Sequence, residues 1–195
     1  MVEIRRDIHR HPEIGRNEVR TSALIRKKLE EYGVDAIERP VPTAVVALIH
    51  GARGPGRCVA LRCDIDALPV QEETGLPYTS ENPGIMHACG HDAHTAMVLT
   101  LAEYAAEHLA ELPRNVLFLF QPSEETTGGA GKLCESGVLD RYRVRRIFGL
   151  HLWPGLEAGT IASRPGPLMA RSNEVTVTVE GRSVHMSRAD EGLDA

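Results

Sequence analysis

The spacing of apolar positions predicts three helices in the first part of the chain. Short apolar patterns over residues 2–11 and 17–32 each indicate a helix, and Asn17 is expected to cap the second one. A longer apolar pattern over residues 93–110 predicts a third helix, which Pro113 closes. These helices alternate with runs that are typical of strands.

Four apolar runs predict the strands of one sheet. Residues 45–49 and 58–62 are separated by the sequence GARGPG, so we expect them to form a hairpin with a flexible loop. Residues 115–120 (NVLFLF) form a continuous apolar run, as strands buried on both faces do, and residues 146–150 are expected to form another buried strand. The alternation of helices and strands predicts a three-layer α/β domain with a mixed sheet.

The last part of the chain has a different pattern. A Gly- and Pro-rich stretch leads to residues 174–180 (EVTVTVE), which alternate with a period of two, as a half-exposed strand of another kind of sheet does. The composition changes near residues 165–170. We therefore predict a first domain over residues 1–168 and the beginning of a second over residues 169–195.

Composition and charge narrow the class of protein. Of 195 residues, 42% are hydrophobic and 25% are charged, which is ordinary for a globular protein, and the net charge of -5 offers no basic surface for nucleic acid. No apolar stretch reaches the roughly 18 residues of a membrane span, and the first residues lack the apolar segment of a signal peptide. The four cysteines form no CxxC pair, which favours a reducing compartment, with the cytoplasm as the default.

The segment from His87 to His94 concentrates metal-binding side chains. It contains three histidines, one cysteine and one aspartate within eight residues, and Gly90 permits a sharp turn between Cys89 and His91. A helix start with buried histidines is the structural alternative. The density of the cluster favours metal ligation, by one ion or by two adjacent ions, but does not by itself indicate catalysis.

Three further polar groups follow predicted strands, at the edge where α/β sheets gather catalytic side chains. Asp64 lies in RCDID after the second strand, and Glu124 and Glu125 follow the NVLFLF strand. One glutamate could bind metal while its neighbour faces the substrate water, although an exposed pair is the commoner explanation for two adjacent glutamates. His151 follows the strand over residues 146–150 and would supply a further ligand.

Five ordered motifs together resemble one family of enzymes. ALRCDIDALPVQE, MHACGHDAHTAM, LFLFQPSEE, GLHLWPG and SRPGPLMA look like the amidohydrolase subgroup of the aminoacylase/carboxypeptidase-type metallohydrolases, which includes hippurate hydrolases and N-acetyl-amino-acid deacetylases. The resemblance implies a metallopeptidase-like catalytic domain with two divalent metal ions, zinc or manganese first, with cobalt or nickel possible. It also implies an inserted α+β lid domain through which the full-length enzyme forms a homodimer.

The resemblance also implies a role for each matching residue. It assigns four metal ligands: Cys89, His91, Glu125 and His151. Glu124 would be the general base and acid, Asp64 would support a ligand, and His185 of the lid would stabilise the oxyanion. A fifth ligand would be a histidine well beyond Ala195, so we expect this chain to be the N-terminal half of a longer enzyme.

The expected reaction is hydrolysis of the amide bond of a small N-acyl amino acid by a metal-activated water. Nucleic acid and membranes are not expected partners. Two alternatives stay open at this point. The chain could be an inactive remnant or a binding module of the same fold, or it could hold one structural zinc ion.

Overall fold

A computed structural model describes residues 1–54, 56–125, 128–169 and 175–194. The helices are α1 (Val2–Arg10), α2 (Val19–Glu31), α3 (His91–Glu107), α4 (Gly129–Glu135) and α5 (Val138–Arg141), with 3-10 turns at Leu109–Glu111 and Met186–Glu191. The strands are β1 (Ala36–Glu38), β2 (Val45–Ile49), β3 (Cys58–Asp64), β4 (Asn115–Gln121) and β5 (Val144–Gly149). Within the described ranges, no helix is both long and apolar enough to cross a lipid bilayer.

The five strands form one mixed sheet in the order β1-β2-β4-β3-β5. β4 pairs antiparallel with β2 and parallel with β3, and β5 also runs parallel to β3. The predicted hairpin between β2 and β3 is therefore wrong, because β4 lies between these two strands. The short strand β1, which the sequence pattern did not predict, pairs with β2 at one edge.

Helices cover both faces of the sheet, which confirms the predicted three-layer α/β fold. Alternate residues of the central strands point to opposite faces, as strand geometry requires. On one face, Phe118 and Phe120 pack in a cluster with Ile25 of α2 and Leu99 of α3. On the other face the cluster includes Leu133 of α4, together with side chains of the strands and α5.

Two local predictions differ from the structure. Glu18, and not Asn17, is the residue that precedes α2, and its side chain makes no capping hydrogen bond. β5 was expected to be buried on both faces, but Ile147 and Phe148 are 49% and 52% exposed. The reason is that β5 lies at the edge of the sheet, where it pairs only with β3 among the described strands.

The chain divides into two compact units, Met1–Leu156 and Glu157–Ala195. In the second unit the predicted strand over residues 174–180 does not form over residues 175–180, and Glu174 lies outside the described residues. Val175 is 82% exposed, since a period-two pattern is stable as a strand only when a partner strand and a covering layer are present. The domain assignment, 1–168 and 169–195, stays a prediction.

Candidate metal centre

The polar groups that follow three parallel strands meet at one edge of the sheet. Asp64 is the last residue of β3, Glu124 follows β4, and His151 follows β5. Because β3 is parallel to both β4 and β5, the carboxyl ends of these three strands lie side by side. The segment that leads into α3 brings Cys89 and His91 to the same edge.

His91 is held in one orientation at the start of α3. It is 1% exposed, and its Nδ1 atom lies 2.9 Å from the backbone carbonyl oxygen of Asp66, to which it can donate. The Nε2 atom is then left as the free nitrogen of the ring. It lies 3.6 Å from a carboxylate oxygen of Asp64 and 3.7 Å from one of Glu125. A fixed imidazole with its free nitrogen among carboxylates is the arrangement of a histidine metal ligand.

The loop after β4 separates the two glutamates. The backbone of Ser123 has a φ of +54°, in the left-handed region, so the chain turns sharply before Glu124. The backbone N–H of Glu125 donates to the Asp66 carboxylate over 3.0 Å. Glu125 is half-buried, whereas Glu124 is exposed, with an oxygen 3.9 Å from Nε2 of His91. One carboxylate thus faces inward and its neighbour faces the opening.

Cys89 and His151 form the open side of the site. The Cys89 sulfur lies 3.5 Å from Nε2 of His151, whose Nδ1 lies 2.7 Å from the carbonyl oxygen of Leu152. The turn that brings Cys89 back toward His91 depends on Gly90, which has a φ of +90°. A side chain at Gly90 would also meet Leu152, since its Cβ would lie 2.9 Å from Cδ1 of that leucine.

His94 belongs to the site but has no free ring nitrogen. Its Nδ1 donates to the Asp64 carboxylate over 2.7 Å, and its Nε2 accepts the backbone N–H of Leu152 over 3.0 Å. His94 therefore orients Asp64 on one side and the segment next to His151 on the other.

The charges of the site favour a bound cation. Burial raises the pKa of the Cys89 thiol to about 12, and the nearby charge of Glu125 acts in the same direction. Burial also raises the pKa of Glu124 above its ordinary value, again with a contribution from Glu125. Burial acts to raise the pKa of Asp64 too, but the hydrogen bond from His94 and the nearby positive groups outweigh it and lower that pKa to about 2. A divalent ion would stabilise these anionic groups and would favour the thiolate.

The donor atoms fit a metal ion. Three groups each have ligand atoms within 4.8 Å of one another: Cys89 with His91 and His151, His91 with Glu124 and Glu125, and Asp64 with His91 and His94. Among the described residues, His91 Nε2 and Glu125 Oε1 are buried without a hydrogen-bond partner. Buried polar atoms are costly when unpaired, so their convergence on one point supports a ligand there. Sulfur, imidazole and carboxylate together suit a transition-metal ion such as zinc.

Other predicted residues lie outside these groups. His185 is in the second unit, where its Nδ1 contacts the Ser187 hydroxyl at 2.9 Å, and its proposed role stays a prediction. His9 is buried between Asp92 and Glu72, at 2.8 and 3.1 Å, and it joins α1 to the start of α3.

The sequence patterns gave no role to two buried carboxylates next to the site. Asp66 contacts both His91 and the backbone of Glu125. Its position two residues after Asp64, on the same face of an extended segment, was a signal that could have identified it. Glu18 accepts the backbone N–H of Ser123 over 2.8 Å. It lies more than a hundred residues away in the chain, and at the start of a helix it resembles an ordinary exposed acid.

Known proteins with similar sequences support the resemblance. The N-acetylcysteine deacetylase of Bacillus subtilis (strain 168) is 43% identical over 195 residues, which is 100% of this chain and 50% of the relative. The N-acyl-L-amino acid amidohydrolase of Geobacillus stearothermophilus is 40% identical over 192 residues, or 98% of this chain and 51% of the relative. The chain thus spans about half the length of the curated relatives it matches.

A solved structure and a family model agree with these matches. The YXEP protein of Bacillus subtilis, described as a dinuclear metal-binding peptidase of the M20 family, superposes with a TM-score of 0.81 and 47% identity. The match covers 86% of this chain and 46% of that one. The model of peptidase family M20/M25/M40 matches residues 60–194. Together with the convergence of Cys89, His91, Glu125 and His151 on one sheet edge, this match shows that the chain belongs to peptidase family M20/M25/M40.

Proposed function

We propose that this chain is the metal-binding part of an amidohydrolase that cleaves the amide bond of small N-acyl amino acids. The observation that carries the proposal is the placement of an exposed carboxylate, Glu124, beside a converging set of sulfur, imidazole and carboxylate ligand atoms. The names of the two similar enzymes, a deacetylase and an N-acyl amino acid amidohydrolase, support this choice of substrate class.

Four side chains would hold two divalent ions: Cys89, His91, Glu125 and His151. When bound, such ions act as Lewis acids and lower the pKa of a water molecule toward neutrality. His91 and Glu125 would be fixed from within the fold, because the backbone and side chain of Asp66 hold them. The Cys89 sulfur and the Glu124 carboxylate lie on the open side, from which substrate would approach.

Glu124 would move the proton of the reaction. Its carboxylate accepts a proton from the attacking water and then delivers it to the departing amine nitrogen, leaving a carboxylic acid and an amino acid. Burial raises the pKa of Glu124, which brings the group closer to the pH at which it must both accept and release a proton. Asp64 would support the ligand set through His94, and His185 would stabilise the oxyanion.

The remaining features of the proposal rest on residue chemistry and on the family resemblance. Zinc or manganese suits the mixed ligand set best, with cobalt or nickel as further candidates. A reducing, cytoplasmic compartment agrees with the cysteines, all four of which are free. The homodimer through the lid domain rests on the resemblance alone.

The alternatives are less well supported than the enzyme. An inactive remnant would not need a base beside the ligand atoms, yet Glu124 lies there. A single structural zinc ion would need only one closed set of four ligands, whereas His91 lies within three overlapping groups of candidate ligands.

Hydrolysis of a panel of N-acetyl and N-benzoyl amino acids by the full-length protein, with and without a chelator, tests the proposal. We expect release of the free amino acid that the chelator abolishes and added Zn²⁺ or Mn²⁺ restores. Metal analysis on the same sample should give two ions per chain. A protein that holds its metals but hydrolyses no member of the panel would overturn the proposed function, and one tightly held ion would favour the structural alternative.

A further inference from the structure

Glu18 is a fully buried carboxylate that ties three distant segments together. It lies directly before α2, is 0% exposed, and makes no capping bond to that helix. Its Oε1 instead accepts the backbone N–H of Ser123 over 2.8 Å, and its Oε2 accepts the hydroxyl of Thr43 over 2.7 Å. Removing a carboxylate from water is costly unless it accepts hydrogen bonds, so these two bonds account for its position.

Both partners of this carboxylate have a backbone conformation that L-residues rarely adopt. Ser123 has a φ of +54° and Thr43 has a φ of +60°. Such conformations persist where the surrounding structure holds them, and they concentrate at functional sites. The bond from Ser123 to Glu18 is thus a contact that can hold the turn after β4.

That turn fixes the direction of the next two residues, Glu124 and Glu125. On the far side of Glu124, the N–H of Glu125 donates to the buried carboxylate of Asp66 over 3.0 Å. The backbone on both sides of Glu124 is therefore anchored to a buried carboxylate, by Glu18 before it and by Asp66 after it. The start of α4 also packs closely against this turn, since a Cβ on Gly129 would lie 1.9 Å from the carbonyl oxygen of Pro122.

We propose that Glu18 is a positioning residue that sets Glu124 and Glu125 toward the metal site by accepting the backbone N–H of Ser123. For Glu124 this inference rests on the proposed function, because the base matters only if the protein hydrolyses amides. For Glu125 it concerns metal binding and stands apart from turnover. Residues that orient a metal ligand without touching the metal commonly change affinity or activity about 10- to 100-fold when they are removed.

Two substitutions of Glu18 in the full-length protein separate the hydrogen bond from simple packing. Glu18→Ala removes the acceptor. Glu18→Gln keeps it, because the amide oxygen can accept from Ser123 while the amide nitrogen donates to the Thr43 oxygen, whose own hydroxyl can reach the Pro42 carbonyl at 2.7 Å. Leu48→Ala is the matched control, since it empties a core position on the sheet without touching this loop.

Three measurements are made on each variant. They are hydrogen–deuterium exchange over residues 121–125 in the metal-free protein, binding of Mn²⁺ by calorimetry, and kcat and KM for an N-acetyl amino acid. We expect Glu18→Ala to speed exchange in this loop at least tenfold, to weaken Mn²⁺ binding about 10-fold, and to lower kcat about 10- to 100-fold with KM within about threefold. Glu18→Gln and Leu48→Ala should stay within about threefold of the parent protein in all three.

Several results would overturn the proposal. They are unchanged exchange and Mn²⁺ affinity in Glu18→Ala, equal losses in Glu18→Ala and Glu18→Gln, or losses in Leu48→Ala that match those of Glu18→Ala. The exchange and Mn²⁺ measurements do not use turnover. If the parent protein hydrolysed no N-acyl amino acid, the proposed function would fail while these two measurements still decided the role of Glu18.

Discussion

The candidate site has two walls that the fold treats differently. The buried wall consists of Asp64, Asp66 and His91, which are almost completely inaccessible to solvent and are held by hydrogen bonds between α3 and the segment at the end of β3. The open wall consists of Cys89, Glu124 and His151, which are half-buried or exposed. Folding of the chain fixes the side-chain positions of the buried wall. The side chains of the open wall remain accessible, so metal and substrate can bind to them. The comparison predicts that substitutions in the buried wall affect both stability and function, and that those in the open wall affect function alone.

Glu124→Gln should produce the largest effect. The amide cannot accept the proton of the attacking water, so we expect kcat to fall about 1,000-fold, within the range that general bases contribute. Metal content and the free energy of unfolding should stay unchanged, because the side chain belongs to the open wall. Steady-state kinetics and metal analysis check this. Turnover within about tenfold of the parent enzyme would contradict the assignment of the base.

His151→Ala should separate metal binding from folding. The imidazole is exposed, so the metal-free protein should unfold with a free energy within about 0.5 kcal/mol of the parent. Metal affinity should fall by more than about 100-fold, since a direct ligand should matter more than a residue that only orients one. Urea unfolding and calorimetric titration measure the two quantities. His108→Ala is the control, as it removes a half-buried histidine that is not among the candidate ligand groups.

Asp66→Ala should affect both properties at once. Loss of the carboxylate leaves the buried N–H of Glu125 without its acceptor, which costs about 1–3 kcal/mol of stability. Metal affinity should also fall about 10- to 100-fold. Asp66→Asn keeps an oxygen acceptor at the same position and should lose much less of both. An Asp66→Ala protein that is as stable as the parent would show that the two walls do not differ as described.

Gly90→Ala should have the smallest effect, at the point where the two walls join. A positive φ and the nearby Leu152 side chain both oppose a Cβ there, so we expect a loss of about 1 kcal/mol and a few-fold weaker metal binding. Gly131→Ala is the matched control. Gly131 lies in α4 without a positive φ and with open space around it, so alanine should raise stability by up to about 1 kcal/mol. Thermal unfolding of both variants checks the difference.

Much of the fold and of the candidate site followed from local sequence patterns. The continuous apolar run of β4 predicted a buried strand because burial on both faces leaves no room for polar residues. Glu124 and His151 were identifiable because the carboxyl ends of parallel strands share one edge. Cys89 and His91 were identifiable because ligand-type side chains are dense over residues 87–94. The three-layer arrangement followed from the alternation of helices and strands.

Other features could not be predicted because they depend on contacts between distant residues. Nothing local in β2 and β3 indicates that β4 separates them, since strand pairing is decided across the whole sheet. The same is true of Glu18, whose partner Ser123 lies 105 positions away. The alternating pattern over residues 174–180 is a clear local signal for a strand, yet no strand forms over residues 175–180, because a strand also needs a partner strand.

The exposed edge of the sheet has a consequence for how the protein behaves in concentrated solution. β5 pairs with β3 on one side, and among the described residues its outer backbone groups face no strand, while Ile147 and Phe148 stand beside them. The unpaired backbone groups of such an edge can form hydrogen bonds with a strand of a second copy, and this pairing can begin aggregation. Arg145 and Arg146 of β5 are exposed, and their positive charges repel the same residues of a second copy, which opposes that pairing. Salt screens this repulsion, so colloidal stability should be greatest at low ionic strength.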